Sequence, residues 1–314
     1  MKPLGRPRTH DILAIETGLG ASWYDPRMPG AADGLVGGRN MLAVAGLVLL
    51  GLALTLPAGS MGGASRSGPA PKAARPSPSQ DTLAVERLAR LGEPIYCAGH
   101  RGNAMALTFD DGPGVYTHLA LRLLRRFHVR ATFFLVGRLL KGWPQLPARE
   151  RAFGALGDHT WTHTYLPALS PSAVAAQVTD TRRAIDAAAH VVVRLFRPPY
   201  GLRNTAIDHE IKRLGMLEVL WNVDSLDWAG ADAAQIARNV LRHISPGAIV
   251  LMHENRGQTI KALTFTLLPA LRRLHIRLVS VPELLASDPP SAAQIRRGLA
   301  GCRHNTPSVV GHGA

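Results

Sequence analysis

The chain carries, at residues 106–113, the stretch that does most to determine its fold: Ala106-Leu107-Thr108-Phe109-Asp110-Asp111-Gly112-Pro113. An apolar run of strand-forming residues ends there in two adjacent carboxylates, and Gly-Pro then turns the chain. Side chains alternate along a strand, so neighbouring aspartates can reach one site only where the strand ends. Two crowded carboxylates stay ionised only beside a cation or a basic group. The stretch therefore predicts either a metal site or a strand followed by a solvated turn.

The surrounding sequence alternates two kinds of segment. Short apolar runs, often β-branched, predict strands at 105–109, 131–136, 191–196, 217–223, 248–252 and 276–281. Amphipathic stretches predict helices at 172–189, 205–214, 233–244 and 260–274. Strands that alternate with helices imply an α/β fold with a mainly parallel sheet, open or closed into a barrel. In a barrel, the chemistry belongs at the carboxyl ends of the strands.

Charge and cysteine content narrow the class of protein. The 314 residues carry a net charge of +14, but the basic residues are scattered and are not interleaved with aromatic residues. Nucleic-acid binding is therefore not expected. A basic exported protein would be attracted to anionic cell-wall polymers or membrane surfaces. The only cysteines, Cys97 and Cys302, flank the globular region, so they form either a bridge in an oxidising compartment or two buried thiols.

The N-terminal part of the chain predicts export. Residues 1–40 are rich in Gly, Pro and Arg and are expected to be disordered, whereas residues 41–57 form an apolar signal or membrane-anchor segment. A Ser/Pro/Ala linker follows at 58–81, where Asp81-Thr82 is expected to cap a short helix. The globular domain is then assigned to 82–290 and a tail to 291–314. The expected location is extracellular or in the cell envelope.

Polar groups recur where the apolar runs of the domain stop. In five successive segments, Asp, His or Arg lies at such a point: Asp110-Asp111, His159 with His163, Arg197 before Pro198-Pro199-Tyr200, Asp224 to Asp227-Trp228, and His253. One such ending is unremarkable, but five are hard to explain as solvated turns. Two histidines and one carboxylate with open positions suit catalytic zinc, and also non-haem iron.

In this order the five segments resemble the motifs of the polysaccharide deacetylase family, also called NodB homology domains or carbohydrate esterase family 4. The resemblance runs from about residue 104 to 285 and implies a distorted (β/α) barrel. It implies a divalent metal ion, Zn²⁺ in the first place with Co²⁺ or Ni²⁺ as alternatives. It also implies roles for individual residues: Asp110 as general base, Asp111, His159 and His163 as metal ligands, Arg197 as the residue that holds Asp110, His253 as general acid oriented by Asp227, and Pro199, Tyr200, Trp228 and Leu251 as substrate-binding residues, with the Tyr200 backbone N–H facing the oxyanion.

The sequence departs from the family pattern in two places. Asp158 stands where the family commonly has Asn, which adds a carboxylate beside His159 that could alter metal affinity. The segment 153–157 lacks the usual Gly-His pair, and the connection from Val136 to Gly157 looks short for a groove wall.

The resemblance leads to one main hypothesis and several alternatives. The main one is a monomeric, metal-dependent hydrolase that removes N-acetyl groups from peptidoglycan N-acetylglucosamine. Chitooligosaccharide N-deacetylation and acetylxylan O-deacetylation are the nearest alternatives. Other classes are a catalytically silent wall-binding protein and an iron oxygenase. The intact pair of Asp110 and His253 argues against both of these, since neither function needs that base and acid.

Overall fold

The computed structural model describes residues 79–303 of the chain. The predicted disordered region at 1–40, the predicted signal or anchor segment at 41–57 and most of the predicted linker lie outside the described residues. Within residues 79–303, no helix combines the length and the apolar character needed to cross a membrane.

The core of the domain is a sheet of eight strands. They are β1 Ala104–Gly112, β2 Ala131–Leu135, β3 Gly154–Asp158, β4 Leu195–Phe196, β5 Leu217–Glu218, β6 Val223–Asp224, β7 Ile249–His253 and β8 Arg277–Leu278. Seven of them lie in the order β5-β4-β3-β2-β1-β7-β6, and β8 pairs with the start of β1. All these pairings are parallel. The carboxyl ends of the strands therefore meet at one edge of the sheet.

Most of the helices lie between successive strands, and the others lie at the two ends of the described domain. They are α1 Gln80–Ala89, α2 Thr117–Phe127, α3 Leu146–Arg151, α4 Pro171–Ala189, α5 Thr205–Arg213, α6 Ala233–His243, α7 Gly257–Ala262, α8 Leu268–Arg273, α9 Val281–Ser287 and α10 Ala292–Arg297. A π-helical turn, Leu263–Leu267, joins α7 to α8. Helix α4 begins as its sequence predicts, because Pro171 supplies the first turn and the Ser170 hydroxyl accepts from the Ala173 backbone N–H.

The sheet curls into an incomplete barrel. In the described part of the chain, its edge strands β5 and β6 do not pair with each other. The segment 95–98 crosses the gap instead: the Ile95 N–H donates to the Glu218 carbonyl, and the Ala98 N–H donates to the Gly247 carbonyl. This arrangement confirms the predicted distorted (β/α) barrel.

Apolar side chains cover both faces of the sheet because successive residues of a strand point to opposite sides. Leu107 and Phe133 belong to the larger cluster, which includes residues of α4 and α6. Ala106 and Phe134 belong to the other, which includes residues of α1 and α9. Strands buried on both faces read as continuous apolar runs, which explains why β1, β2 and β7 are recognisable in the sequence.

Several boundary predictions need correction. The prediction misses β3, because Gly154 and Gly157 are poor strand formers. Tertiary contacts require these glycines: a Cβ on Gly154 would lie 1.8 Å from the Ala131 carbonyl oxygen, and one on Gly157 would lie 2.4 Å from the Phe134 ring. The predicted strand 217–223 is two short strands, and helix α3 fills the connection that looked short.

Both ends of the described domain also differ from the prediction. Helix α1 begins at Gln80, inside the predicted linker, and its cap is Ser79 rather than Asp81-Thr82. The predicted tail from residue 291 forms α10, and Gln294 Nε2 donates to the Ala98 carbonyl. Cys97 and Cys302 form a disulfide with 5.9 Å between their Cα atoms. These contacts tie α10 and Cys302 to the rest of the described residues.

Candidate active site

The two adjacent aspartates at the end of β1 reach the same site because the backbone changes course between them. The pairing of β1 with β2 shifts register between Phe109 and Gly112, and Asp111 takes a left-handed conformation with φ of 65°. This irregularity abolishes the alternation that would send the two side chains to opposite faces. Asp110 is buried, whereas the Asp111 side chain retains 22% of its exposure.

Asp111, His159 and His163 form a compact group whose candidate ligand atoms all lie within 4.8 Å of one another. Asp111 Oδ1 lies 3.3 Å from His163 Nε2 and 3.7 Å from His159 Nε2. Zinc bonds of about 2.0–2.2 Å at tetrahedral angles place neighbouring ligand atoms roughly 3.3–3.6 Å apart. Asp111 Oδ1 is buried and accepts no hydrogen bond from the described residues. The donor set, its spacing and this unpaired oxygen therefore fit a divalent cation.

The protonation state of His159 also suits a metal ligand. Its Nδ1 lies 2.7 Å from the Arg197 carbonyl oxygen, which can only accept, so Nδ1 carries the proton and Nε2 faces the group with a lone pair. Burial, followed by the nearby His163, lowers the pKa of His159 to about 3. The ring is therefore neutral at physiological pH.

The turn that carries the two histidines is held by Asp158. Asp158 Oδ1 accepts from the Thr160 backbone N–H at 2.8 Å, and the Thr160 hydroxyl accepts from the His163 N–H at 3.1 Å. Both Thr160 and His163 have positive φ. The extra carboxylate is therefore engaged in shaping the turn and is not a fourth member of the metal-binding group.

Asp110 is held by Arg197, which is the largest fully buried side chain of the described domain. Arg197 Nη1 donates to Asp110 Oδ1 at 2.8 Å and to the Thr108 hydroxyl at 2.7 Å. Its remaining nitrogens donate to the carbonyls of Val219 and Leu220. Burial raises the pKa of Asp110, and the Arg197 guanidinium opposes that rise. Asp110 is thus a fixed carboxylate with a raised proton affinity, as a general base requires.

His253 and Asp227 form a buried pair on the opposite side of Asp111. His253 Nδ1 lies 2.7 Å from Asp227 Oδ1, and Asp227 Oδ2 accepts from the His253 backbone N–H and the Thr259 hydroxyl. Burial alone would lower the pKa of His253, but the Asp227 carboxylate outweighs it and raises the pKa to about 9. His253 Nε2 lies 4.0 Å from Asp111 Oδ2. A protonated donor therefore faces the site at neutral pH.

The four predicted substrate-binding residues lie on both sides of this centre. Pro199 is buried, and Tyr200 follows with φ of 62°, its half-exposed ring 4.7 Å from the His163 ring. Leu251 pairs with Asp224 across β7 and β6. Trp228 is 38% exposed, and its indole N–H donates to both Asp224 oxygens at 3.2–3.3 Å. Two exposed aromatic side chains thus border the site.

The structure adds residues that sequence reasoning missed. Thr108 donates to the Val250 carbonyl while it accepts from Arg197, and Thr259 donates to Asp227. Thr108 could have been found, since it stands two residues before Asp110 and shares its face of the strand. Thr259 could not, because only the fold brings α7 to Asp227.

Comparison with known proteins identifies the family of this chain. The family model for polysaccharide deacetylase matches residues 98–219. A chitooligosaccharide deacetylase of Bradyrhizobium sp. is 35% identical over 195 residues, which cover 57% of this chain and 89% of the relative. A peptidoglycan-N-acetylglucosamine deacetylase of Bacillus cereus is 35% identical over 188 residues, which cover 58% and 87%. The chain belongs to the polysaccharide deacetylase family, whose members are hydrolases.

Solved structures show the same fold. A family 4 pseudoenzyme from Bacillus anthracis superimposes with a TM-score of 0.58 at 31% identity, which covers 63% of this chain and 70% of the other. Since this relative is named a pseudoenzyme, the case for catalysis in the present chain depends on its own residues.

Proposed function

We propose that this protein is a metal-dependent deacetylase that hydrolyses N-acetyl groups on peptidoglycan N-acetylglucosamine. The observation that carries the proposal is the placement of a fixed base and a protonated acid beside one metal-binding group. Asp110 Oδ2 lies 3.7 Å from His159 Nε2, and His253 Nε2 lies 4.0 Å from Asp111 Oδ2. A protein that only binds glycans needs neither of these groups.

Asp111, His159 and His163 would hold the metal ion, for which Zn²⁺ is the first choice because the set combines two imidazoles and one carboxylate. Such an ion lowers the pKa of water and polarises a carbonyl group. The chain's own contribution is to fix the two histidines: the Arg197 carbonyl sets the tautomer of His159, and the Asp158–Thr160 turn places His163.

The proton transfers are assigned to two residues on opposite sides of Asp111. Asp110 takes the proton from the attacking water, and Arg197 keeps its carboxylate oriented. His253 gives a proton to the leaving amine, which would otherwise be a poor leaving group. Asp227 keeps His253 protonated and oriented for that step.

The remaining residues would bind and orient the acetyl group. The left-handed conformation of Tyr200 turns its backbone away from the helical path, and we assign its N–H as the donor to the developing oxyanion. Trp228 and Leu251 are assigned to the acetyl pocket, with Asp224 fixing the indole, and Pro199 stiffens the turn before Tyr200.

The substrate assignment rests on the Bacillus cereus relative and on the export features of the chain. The Cys97–Cys302 disulfide fits an oxidising compartment outside the cytoplasm. The apolar segment 41–57 would direct the domain there or anchor it. The similarity to the Bradyrhizobium protein makes chitooligosaccharides the second candidate substrate.

Acetate release by the purified full-length protein with added zinc tests the proposal. N-acetylated glycan strands, chitooligosaccharides and acetylxylan are offered in parallel, with Asp110→Asn and His253→Ala as controls. We expect acetate from glycan strands and at least a hundredfold loss in both variants. Preference for another polymer would change the substrate. No release from any polymer by the zinc-loaded protein would favour a silent wall-binding protein.

A further inference from the structure

Two buried glutamates behind the active site have no role in the proposed reaction. Glu150 lies in the last turn of α3, Glu254 directly follows His253, and both side chains are fully buried. Their carboxyl groups contact each other. Three of their four carboxyl oxygens accept no hydrogen bond from any N–H or hydroxyl group of the described residues: Glu150 Oε1, Glu150 Oε2 and Glu254 Oε1. Such a pair is costly to bury unless the two groups share a proton.

The direction of the hydrogen bonds follows from the neighbouring Thr117. Its hydroxyl accepts from the Gly114 backbone N–H at 2.8 Å, so its single proton is free to go to Glu254 Oε2 at 3.0 Å. Glu254 is then the acceptor of the set and Glu150 the protonated partner. In agreement, burial and the facing Glu254 raise the pKa of Glu150 well above its usual range. Burial also raises the pKa of Glu254, to about 7, so the pair is set to hold one proton between the two carboxyl groups.

This chain of contacts ends at the turn that follows Asp111. A Cβ on Gly112 would lie 1.4 Å from Glu254 Oε1, so the carboxylate lies directly against the Gly112 backbone. The Gly114 carbonyl also accepts from the Thr117 N–H, and the Glu254 N–H points to the Asp110 carbonyl at 3.4 Å. Glu254 is thus in contact with the backbone that carries both aspartates, and Glu150 contacts Glu254 from the other side.

We propose that Glu150, Glu254 and Thr117 are positioning residues that hold the turn of Gly112–Gly114, and with it Asp111, in the geometry needed to bind the metal. The proposal rests on the proposed function, since it takes Asp111 as a metal ligand. Removal of a residue that orients a metal ligand typically lowers metal affinity by roughly 10- to 100-fold. The glutamate pair thereby links the end of β7, which carries His253, to the turn that carries Asp111.

Matched substitutions at the two ends of this network test the proposal. Thr117→Val keeps the shape but removes the hydroxyl, whereas Thr117→Ser keeps the hydroxyl. Glu150→Met removes the donor to Glu254, whereas Glu150→Gln retains an N–H that can replace it. Zinc affinity is measured by competition with a chelator, and kcat and KM are measured at saturating zinc, with each protein kept below its melting temperature.

We expect Thr117→Val and Glu150→Met to raise the zinc Kd by about tenfold or more and to lower kcat with little change in KM. Thr117→Ser and Glu150→Gln should stay within about twofold of the wild type. Wild-type zinc affinity and kcat in both Thr117→Val and Glu150→Met, even with a lower Tm, would show a purely structural role and overturn the proposal. An effect of Thr117→Val without one of Glu150→Met would overturn the assignment of Glu150. Failure of the wild type to bind zinc would refute the proposed function itself.

Discussion

His159 and His253 occupy opposite sides of the same aspartate pair, and their rings are anchored through the same atom at the same distance. Nδ1 of each ring lies 2.7 Å from an oxygen acceptor. For His159 the acceptor is the backbone carbonyl of Arg197, and for His253 it is the carboxylate of Asp227. Both rings are buried. The two sites therefore differ chiefly in the charge of one hydrogen-bond partner.

That difference contributes to the opposite protonation states of the two rings. Burial, followed by the nearby His163, lowers the pKa of His159 to about 3, and the neutral carbonyl opposes this only weakly. At His253, the Asp227 carboxylate overrides the same effect of burial, and the pKa rises to about 9. A neutral ring offers a lone pair to a metal, whereas a cationic ring offers a proton. In the proposed mechanism, the partner of Nδ1 therefore distinguishes the metal ligand from the general acid.

The largest effect is expected from His159→Ala. Removal of one of three ligands should abolish zinc binding at micromolar concentrations of metal and reduce deacetylation to the background rate. Isothermal titration with zinc and an acetate-release assay measure both quantities. The matched control is His253→Ala, which should bind zinc like the wild type. Equal loss of zinc in both variants would show that the two histidines are not functionally distinct.

His253→Ala should lower kcat by about 10²- to 10⁴-fold without a change in zinc Kd, because it removes the proton donor but no ligand. Steady-state kinetics at saturating zinc provide the measurement. A substrate with a better leaving group needs less protonation, so its hydrolysis should be affected less. A variant that retains wild-type kcat on the N-acetylated glycan would remove His253 from the mechanism.

Asp227→Asn should make His253 resemble His159, because the amide still accepts a hydrogen bond but carries no charge. The pKa of His253 should then fall from about 9 to its ordinary value or below, since burial is no longer opposed. The alkaline limb of the pH profile of kcat should move down by about two pH units or more. An alkaline limb that stays in place would assign it to another group.

The same pair predicts a pH dependence of stability. Because folding raises the pKa of His253, its stabilising contribution is complete below about pH 6.5 and is lost as the pH rises through about 9. The stability of the wild type relative to Asp227→Asn should therefore be greater at pH 6 than at pH 10. Urea unfolding of the zinc-free proteins tests this sign, and an equal difference at both pH values would contradict it.

The smallest effect is expected from Asp158→Asn. The side chain accepts one hydrogen bond from Thr160, and the Asn carbonyl oxygen can replace it, so the turn that positions His159 and His163 should persist. Zinc affinity and kcat should remain within about threefold of the wild type. Asp158→Leu, which cannot accept the bond, should weaken zinc binding by roughly tenfold or more. A large change in zinc affinity in Asp158→Asn would instead show that the charge of Asp158 affects metal binding.

The elements that can be predicted from the sequence are those with strong local signals. Strands β1, β2 and β7 are buried on both faces and are visible as apolar runs, and Ser170-Pro171 marks the start of α4. Strand β3 gave no such signal, because two of its five residues are glycines. The Ala131 carbonyl and the Phe134 ring leave no room for a Cβ at these two positions. The pairing of Cys97 with Cys302 remained open for a related reason: a separation of 205 residues says nothing about distance in space.

By itself, the sequence determined the kind of fold and the residue types of the site, since strand ends in a parallel α/β sheet collect at one edge and the motifs are read in order. The tertiary structure decided the conformation, burial and partners of those residues. Only it shows that Asp111 takes a left-handed turn beside His159 and His163, that Arg197 is buried against Asp110, and that His253 faces a carboxylate. Proton affinity and metal binding depend on burial and on partners from distant strands. Local sequence shows neither the burial nor these partners.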